Sequence, residues 1–253
     1  MGDDRMPRRV AAILLASAML ICGAQGEAIA GPPYFTDDPE PTDAGHWEVY
    51  SFLGGTRTEG ATEGESGLDI NYGLAKNLQL TVVVPFAYER ERRTRGGLAD
   101  VEVALKYRLV SQREGSWIPD IAFFPALTVP TARRGFGSGR VGISLPVWMQ
   151  KDIGKWSLFG GGAYSINPGQ GRRNAWSAGL GISRTFGPRL EIGAEIYRQA
   201  ADEQGERAHT SVGIGATYRL SRRWSLLASA GPGLESGHRE GRSNFYAALK
   251  LDY

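Results

Sequence analysis

His46, His209 and His238 are the three imidazoles of this 253-residue chain, and two of them stand beside hydroxyls. His209 precedes Thr210 and Ser211, and His238 lies near Glu235 and Ser236, which places a base close to candidate nucleophiles. Nucleophilic catalysis requires those groups to converge in space beside an oxyanion site, and no nucleophile-elbow motif accompanies either pair, so catalysis is not expected. Three scattered histidines and the single cysteine, Cys22, have no metal-ligand spacing, so neither a metal nor a cofactor is implied. Gly160-Gly161-Gly162 and Gly135-x-Gly137-x-Gly139 suggest a phosphate loop, but neither opens a helix. Close strand packing or turns explain them better.

The charged residues are more informative, because many alternate with apolar ones at a period of two. Asp100, Glu102, Lys106 and Arg108 interleave with Val101, Val103, Leu105, Tyr107 and Leu109. Glu191 and Glu195 interleave with Leu190, Ile192, Ala194 and Ile196, and Ser211, Thr217 and Arg219 with Val212, Ile214, Ala216, Tyr218 and Leu220. Between 77 and 89 the even positions from Leu78 to Tyr88 are apolar, while Gln79 and Thr81 interrupt the other face. Strands with one greasy and one polar face are the elements that must position any site here. From Trp47 to the end no segment reads at helical period.

A soluble sandwich could produce this alternation with its apolar face turned inward. The connections distinguish the two. Short turns at 75–77, 153–155, 187–188 and 221–223 alternate with longer polar loops at 56–65, 89–97, 132–139, 167–173, 201–208 and 235–243. That order is expected of an outer-membrane barrel, with short periplasmic turns, longer outer loops and both termini in the periplasm. Unpaired backbone groups are too costly in hydrocarbon for an open edge, so the first and last strands must pair. The spacing predicts an all-β, closed antiparallel transmembrane barrel of about twelve strands over 45–253. The stretch 118–148 is the hardest to divide, because Pro125 and Pro146 interrupt it.

Composition agrees. Thirty-five glycines, six tryptophans and ten tyrosines suit strands and turns, and a barrel's polar lumen explains a mean hydropathy slightly below zero. A net charge of +2 does not indicate nucleic acid. Arg5, Arg8 and Arg9 precede an apolar run from Val10 to Cys22, and Ala28-Ile29-Ala30 provides a cleavage pattern, so residues 1–30 are read as a secretory signal peptide. That run is too short for a spanning helix. Lipoprotein processing at Cys22 is disfavoured by Ile21, where a small residue is required. Trp47, Trp156, Trp176 and Trp224 fall near strand ends and suggest an interfacial girdle. Counting back from Tyr253, Leu251, Leu249, Ala247 and Phe245 resemble the C-terminal signature read by the barrel-assembly machinery.

The segment Gly31-Pro32-Pro33-Tyr34-Phe35-Thr36-Asp37-Asp38-Pro39-Glu40-Pro41, followed by Gly45-His46-Trp47-Glu48, resembles the start of the family named for the meta-pathway of phenol degradation. The resemblance implies an outer-membrane barrel that passes small aromatic or hydrophobic compounds. Asp37, Asp38, Glu40 and Asp43 make residues 31–44 an acidic, proline-stiffened stretch. It either remains a periplasmic tail or folds into the lumen to pair with Lys106, Arg108 or Arg219. Arginines at 90, 92, 93, 95, 133, 134, 172, 173, 239 and 242 concentrate in the outer loops, where lipopolysaccharide phosphates are one candidate partner and solvation the plainer role. The expectation is a passive outer-membrane channel of a Gram-negative bacterium, with Asp69, Asp100, Glu102, Lys106, Arg108, Glu191 and Glu195 facing the lumen. A filled structural barrel or a lipid-modifying enzyme are the competing readings.

Overall fold

The computed structural model describes residues 33–133, 135–234 and 241–253. The signal peptide at 1–30 and the pairing of His238 with Glu235 and Ser236 lie outside the described residues. Among the described residues no helix is long and apolar enough to cross a membrane, and the chain is built from strands.

These are β1 (Trp47–Thr58), β2 (Ala61–Ala75), β3 (Leu78–Arg90), β4 (Thr94–Leu98), β5 (Val101–Val110), β6 (Asp120–Phe123) and β7 (Ala126–Val129). They are followed by β8 (Gly142–Ile153), β9 (Trp156–Ile166), β10 (Ala175–Phe186), β11 (Leu190–Gln199), β12 (His209–Arg219), β13 (Trp224–Pro232) and β14 (Ser243–Asp252). β4 and β5 both pair with β3, and β6 and β7 both pair with β8, so each couple is one wall strand with a break. Twelve wall strands result. β1 pairs with β14 from Glu48↔Asp252 to Arg57↔Ser243, which closes the barrel and leaves no edge.

Chemistry explains both breaks. Phe124-Pro125 separates β6 from β7, and Pro125 has no N–H to give the ladder. The ladder still closes around it, with Leu105 donating to the Pro125 carbonyl and Phe124 to that of Pro146, each at 3.0 Å. Ala99-Asp100 separates β4 from β5, and the Asp100 carboxylate there accepts from the backbone N–H groups of Ala132 and Ser138, both at 2.9 Å. This ties the 130–141 loop against the wall and sets Phe136 on Ala87 and Ala99. Asp100 therefore departs from the expectation of a free selectivity residue: its carboxylate is buried and spent on loop donors.

The alternation falls as expected. Leu53, Leu68, Phe86, Leu105, Leu180, Ile196 and Leu226 point outward and are exposed, as a lipid-facing surface must be. Asn71, Gln79, Thr81, Lys106, Ser183, Glu195 and Asn244 point inward and are buried. Trp47, Trp156 and Trp224 are the first residues of their strands and form a ring at the terminus-bearing end. Trp176 sits outward near the opposite end.

Two loop expectations need correction. Residues 56–65 and 89–97 are mostly strand, and β1 and β2 meet at the two-residue turn 59–60. Beyond the lipid band the outer face no longer has to be apolar, so polar residues such as Arg57, Thr62 and Thr94 continue the ladder into water. At the other end the turns are short, and Asn77, in the turn before β3, has a φ of 65°, which Asn tolerates better than most side chains.

Candidate functional site

The inner surface is a cylinder of alternate residues from twelve strands, and the segment before β1 lies inside it. It enters beside β13, where Ser229 donates its hydroxyl to the Pro33 carbonyl, and leaves at Gly73 on β2. In between it crosses the lumen from one wall to the other.

Each crossing residue has a receptor. The Tyr34 hydroxyl donates to the Gly215 carbonyl at 3.1 Å, and its ring lies 5.1 Å from that of Phe159. Burial, then the nearby carboxylates of Glu191 and Glu195, push the Tyr34 phenol well above its ordinary value, so it stays a donor. Phe35 stacks on Tyr197 at 5.1 Å. The Glu195 carboxylate accepts from the N–H of Phe35 at 2.8 Å and of Thr36 at 3.0 Å, one per oxygen. On the opposite wall Lys106 holds the Asp37 carboxylate at 3.0 Å and donates to the Asp38 carbonyl at 3.0 Å. The Gln79 side-chain carbonyl accepts from Thr42 N–H and hydroxyl, while its amide donates to Asn71 and Thr81.

Strand backbones at van der Waals distance make room for this. A Cβ on Gly179 would lie 1.9 Å from Thr36 Oγ1, and on Gly193 or Gly215 it would strike the Tyr34 ring or hydroxyl. Inward glycines on β10, β11 and β12 thus form a groove shaped to the segment. Thr36, Asp37 and Pro39 are the largest fully buried side chains among the described residues.

The expected site residues divide accordingly. Thr36, Asp37, Asp38, Pro39, Glu40 and Pro41 form the crossing segment, with Glu40 N–H closing an Asx turn on Asp38 at 2.7 Å. Lys106 and Glu195 are its anchors. Glu191 lies four residues before Glu195 on the same inward row. Arg108 bonds Asn77 and sits 3.9 Å from Asp120 near the end of the barrel that carries both termini, and Arg219 makes no ion pair with the segment among the described residues. His46 is exposed in the turn that leads to β1, Trp47 packs its indole outward on Tyr72, and Glu48 faces inward to Tyr50 and Lys250. His209 opens β12 opposite Gln199. Of the loop arginines, Arg172 is held by Asp202 at 3.2 Å and Glu203 at 3.0 Å, so its guanidinium is committed within the protein.

Above the segment, towards the longer loops, the lumen opens into a cavity of about 200 Å³. Phe52, Phe124, Phe136, Trp148, Tyr197 and Tyr246 supply aromatic wall, and Asp69 and Glu102 supply carboxylates. Sequence reasoning missed Trp148 and the glycine groove. Both could have been marked, since an inward-parity Trp opposite Gly161, or three inward glycines on successive strands, is unusual for a water-filled pore.

The family model described as "MetA-pathway of phenol degradation" matches residues 33–251. A COG4313 outer membrane channel from Pseudomonas putida F1 superposes with a TM-score of 0.66 at 17% identity, covering 88% of this chain and 100% of that one. The NanC porin superposes at 0.56 with 11% identity, covering 80% and 98%, and the KdgM porin, solved with disordered oligogalacturonate, at 0.54 with 11% identity, covering 80% and 98%. No curated protein sequence matches the chain.

Proposed function

Since the chain belongs to the family described as the MetA-pathway of phenol degradation, we propose that it is an outer-membrane channel for small aromatic or hydrophobic compounds, closed at rest by its own N-terminal segment. One observation carries this reading: an aromatic-walled cavity of about 200 Å³ lies directly over a segment that fills the lumen. Pockets for larger ligands typically run from about 300 to 1,000 Å³, so this volume suits a single ring. Asp69, Glu102, Glu191 and the anchors Lys106 and Glu195 give the lumen both charge signs, so strong ion selectivity is not expected. We read the barrel as non-catalytic and place it in the outer membrane of a Gram-negative bacterium. Its C-terminal strand would engage the barrel-assembly machinery, and its loop arginines other than Arg172 would meet lipopolysaccharide.

The segment acts as a plug by filling the passage with buried, hydrogen-bonded backbone. Opening it requires Asp37 to leave Lys106 and two N–H groups to leave Glu195. The test is solute entry into liposomes carrying the refolded mature chain. Phenol- and toluene-sized solutes should enter faster than sugars of similar mass. Equal rates, or none above bare lipid, would refute the channel reading.

A further inference from the structure

The cavity above the plug carries an electrostatic pattern that the family name does not explain. Glu102 on β5 and Asp69 on β2 both face it and lie in one row, each opposite Val83 of β3. Glu102 has no hydrogen-bond or ion-pair partner among the described residues, and Asp69 accepts one bond, from the Asn71 amide at 2.9 Å. The cations that could neutralise them are engaged elsewhere: Lys106 with Asp37, and Arg172 with Asp202 and Glu203. A second orphan faces the same cavity. Trp148 is 2% exposed, and its indole N–H has no acceptor among the described residues. Buried polar groups are nearly always paired, so an unpaired donor and an unpaired carboxylate lining one cavity indicate groups that a ligand satisfies.

We propose that this cavity is a binding site for a small monocyclic organic amine, with its ammonium at Glu102 and Asp69, its ring among Phe52, Phe124 and Tyr246, and an oxygen accepting from Trp148. This deepens the channel reading above and rests on it. Carboxylates beside aromatic faces favour a cation twice, by charge-assisted hydrogen bonds and by the negative ring faces. The same carboxylates repel an anion of equal shape, so the site sorts aromatic compounds by charge.

Three probes share a hydroxyphenyl ring and differ in charge: tyramine, 4-ethylphenol and 4-hydroxyphenylacetate. Binding to the refolded mature chain in detergent, measured by calorimetry at pH 7, should rank them in that order, with tyramine about ten-fold or more tighter than 4-ethylphenol. Glu102→Gln should bring tyramine down to the level of 4-ethylphenol and leave the neutral probe unchanged. Asp69→Asn provides a second, independent loss of the same preference should the first variant fail to fold. Trp148→Phe should weaken tyramine and 4-ethylphenol alike. Binding of all three probes with no order by charge, or a preference that survives in a folded carboxylate variant, overturns the amine site and leaves the channel reading standing. Binding of none overturns both.

Discussion

Replacing Lys106 by Met removes one cation and tests how the plug is held. Its Nζ lies 3.0 Å from Asp37 Oδ2, and both side chains are almost wholly buried, at 6% and 2% exposure. Breaking a buried pair by deleting one partner costs about 3–5 kcal/mol, since the remaining charge is left uncompensated. Asp37 can limit that loss by taking up a proton. A free carboxyl near 3.8 costs about 4 kcal/mol to neutralise at pH 7 and about 1.6 kcal/mol at pH 5. At pH 7 the variant's docking equilibrium should therefore weaken by a factor of about 10²–10³, and at pH 5 by little more than ten-fold. Single-channel recording in planar bilayers reads this as open probability, which should rise at pH 7 and fall back towards wild type at pH 5. The double variant Lys106→Met/Asp37→Asn leaves no orphan charge and should remain closed at both. An unchanged open probability at pH 7, or a double variant as open as the single one, would refute the argument that this pair retains the plug.

In the unsubstituted protein burial, opposed by Lys106, lifts Asp37 to about 6. The docked state then binds a proton more readily than the free segment, so docking strengthens as pH falls from 6 towards 4 and weakens as pH rises through 6; conductance should therefore fall as the pH is lowered and rise as it is raised through 6. Gly179→Val would place side-chain atoms where Thr36 now lies, because even a Cβ would be 1.9 Å from its hydroxyl. Conductance should rise while heat-modifiable mobility on gels remains that of a folded barrel. Asp100→Ala strips acceptors from two loop N–H groups, at about 1–3 kcal/mol each, so the 130–141 loop should become susceptible to protease without loss of the wall.

The wall was legible in the sequence because lipid enforces a strict code. The apolar even positions of 78–88 and odd positions of 101–109 face outward as their alternation requires, and three of the four girdle tryptophans, Trp47, Trp156 and Trp224, begin their strands. The proline pair at 125 and 146 made 118–148 unreadable, since a broken strand pairs in two halves whose register depends on neighbours far away in sequence. Inward positions are less constrained. Lys106 and Glu195 could be assigned to the lumen by parity, yet their partners lie 69 and about 160 residues away, and no local pattern links them to 35–38. Asp100 illustrates the limit best: it faces inward like its neighbours, but the strand break at its side gives it to a loop instead of the passage.

The central claim is that residues before β1 close this barrel, and the direct measurement is single-channel conductance of the chain lacking residues 31–43 beside the chain that starts at residue 31. The shortened barrel should open to stable, larger steps that phenol or toluene partly blocks, while the full chain stays mostly closed. Identical conductance from two folded, inserted barrels would contradict the account.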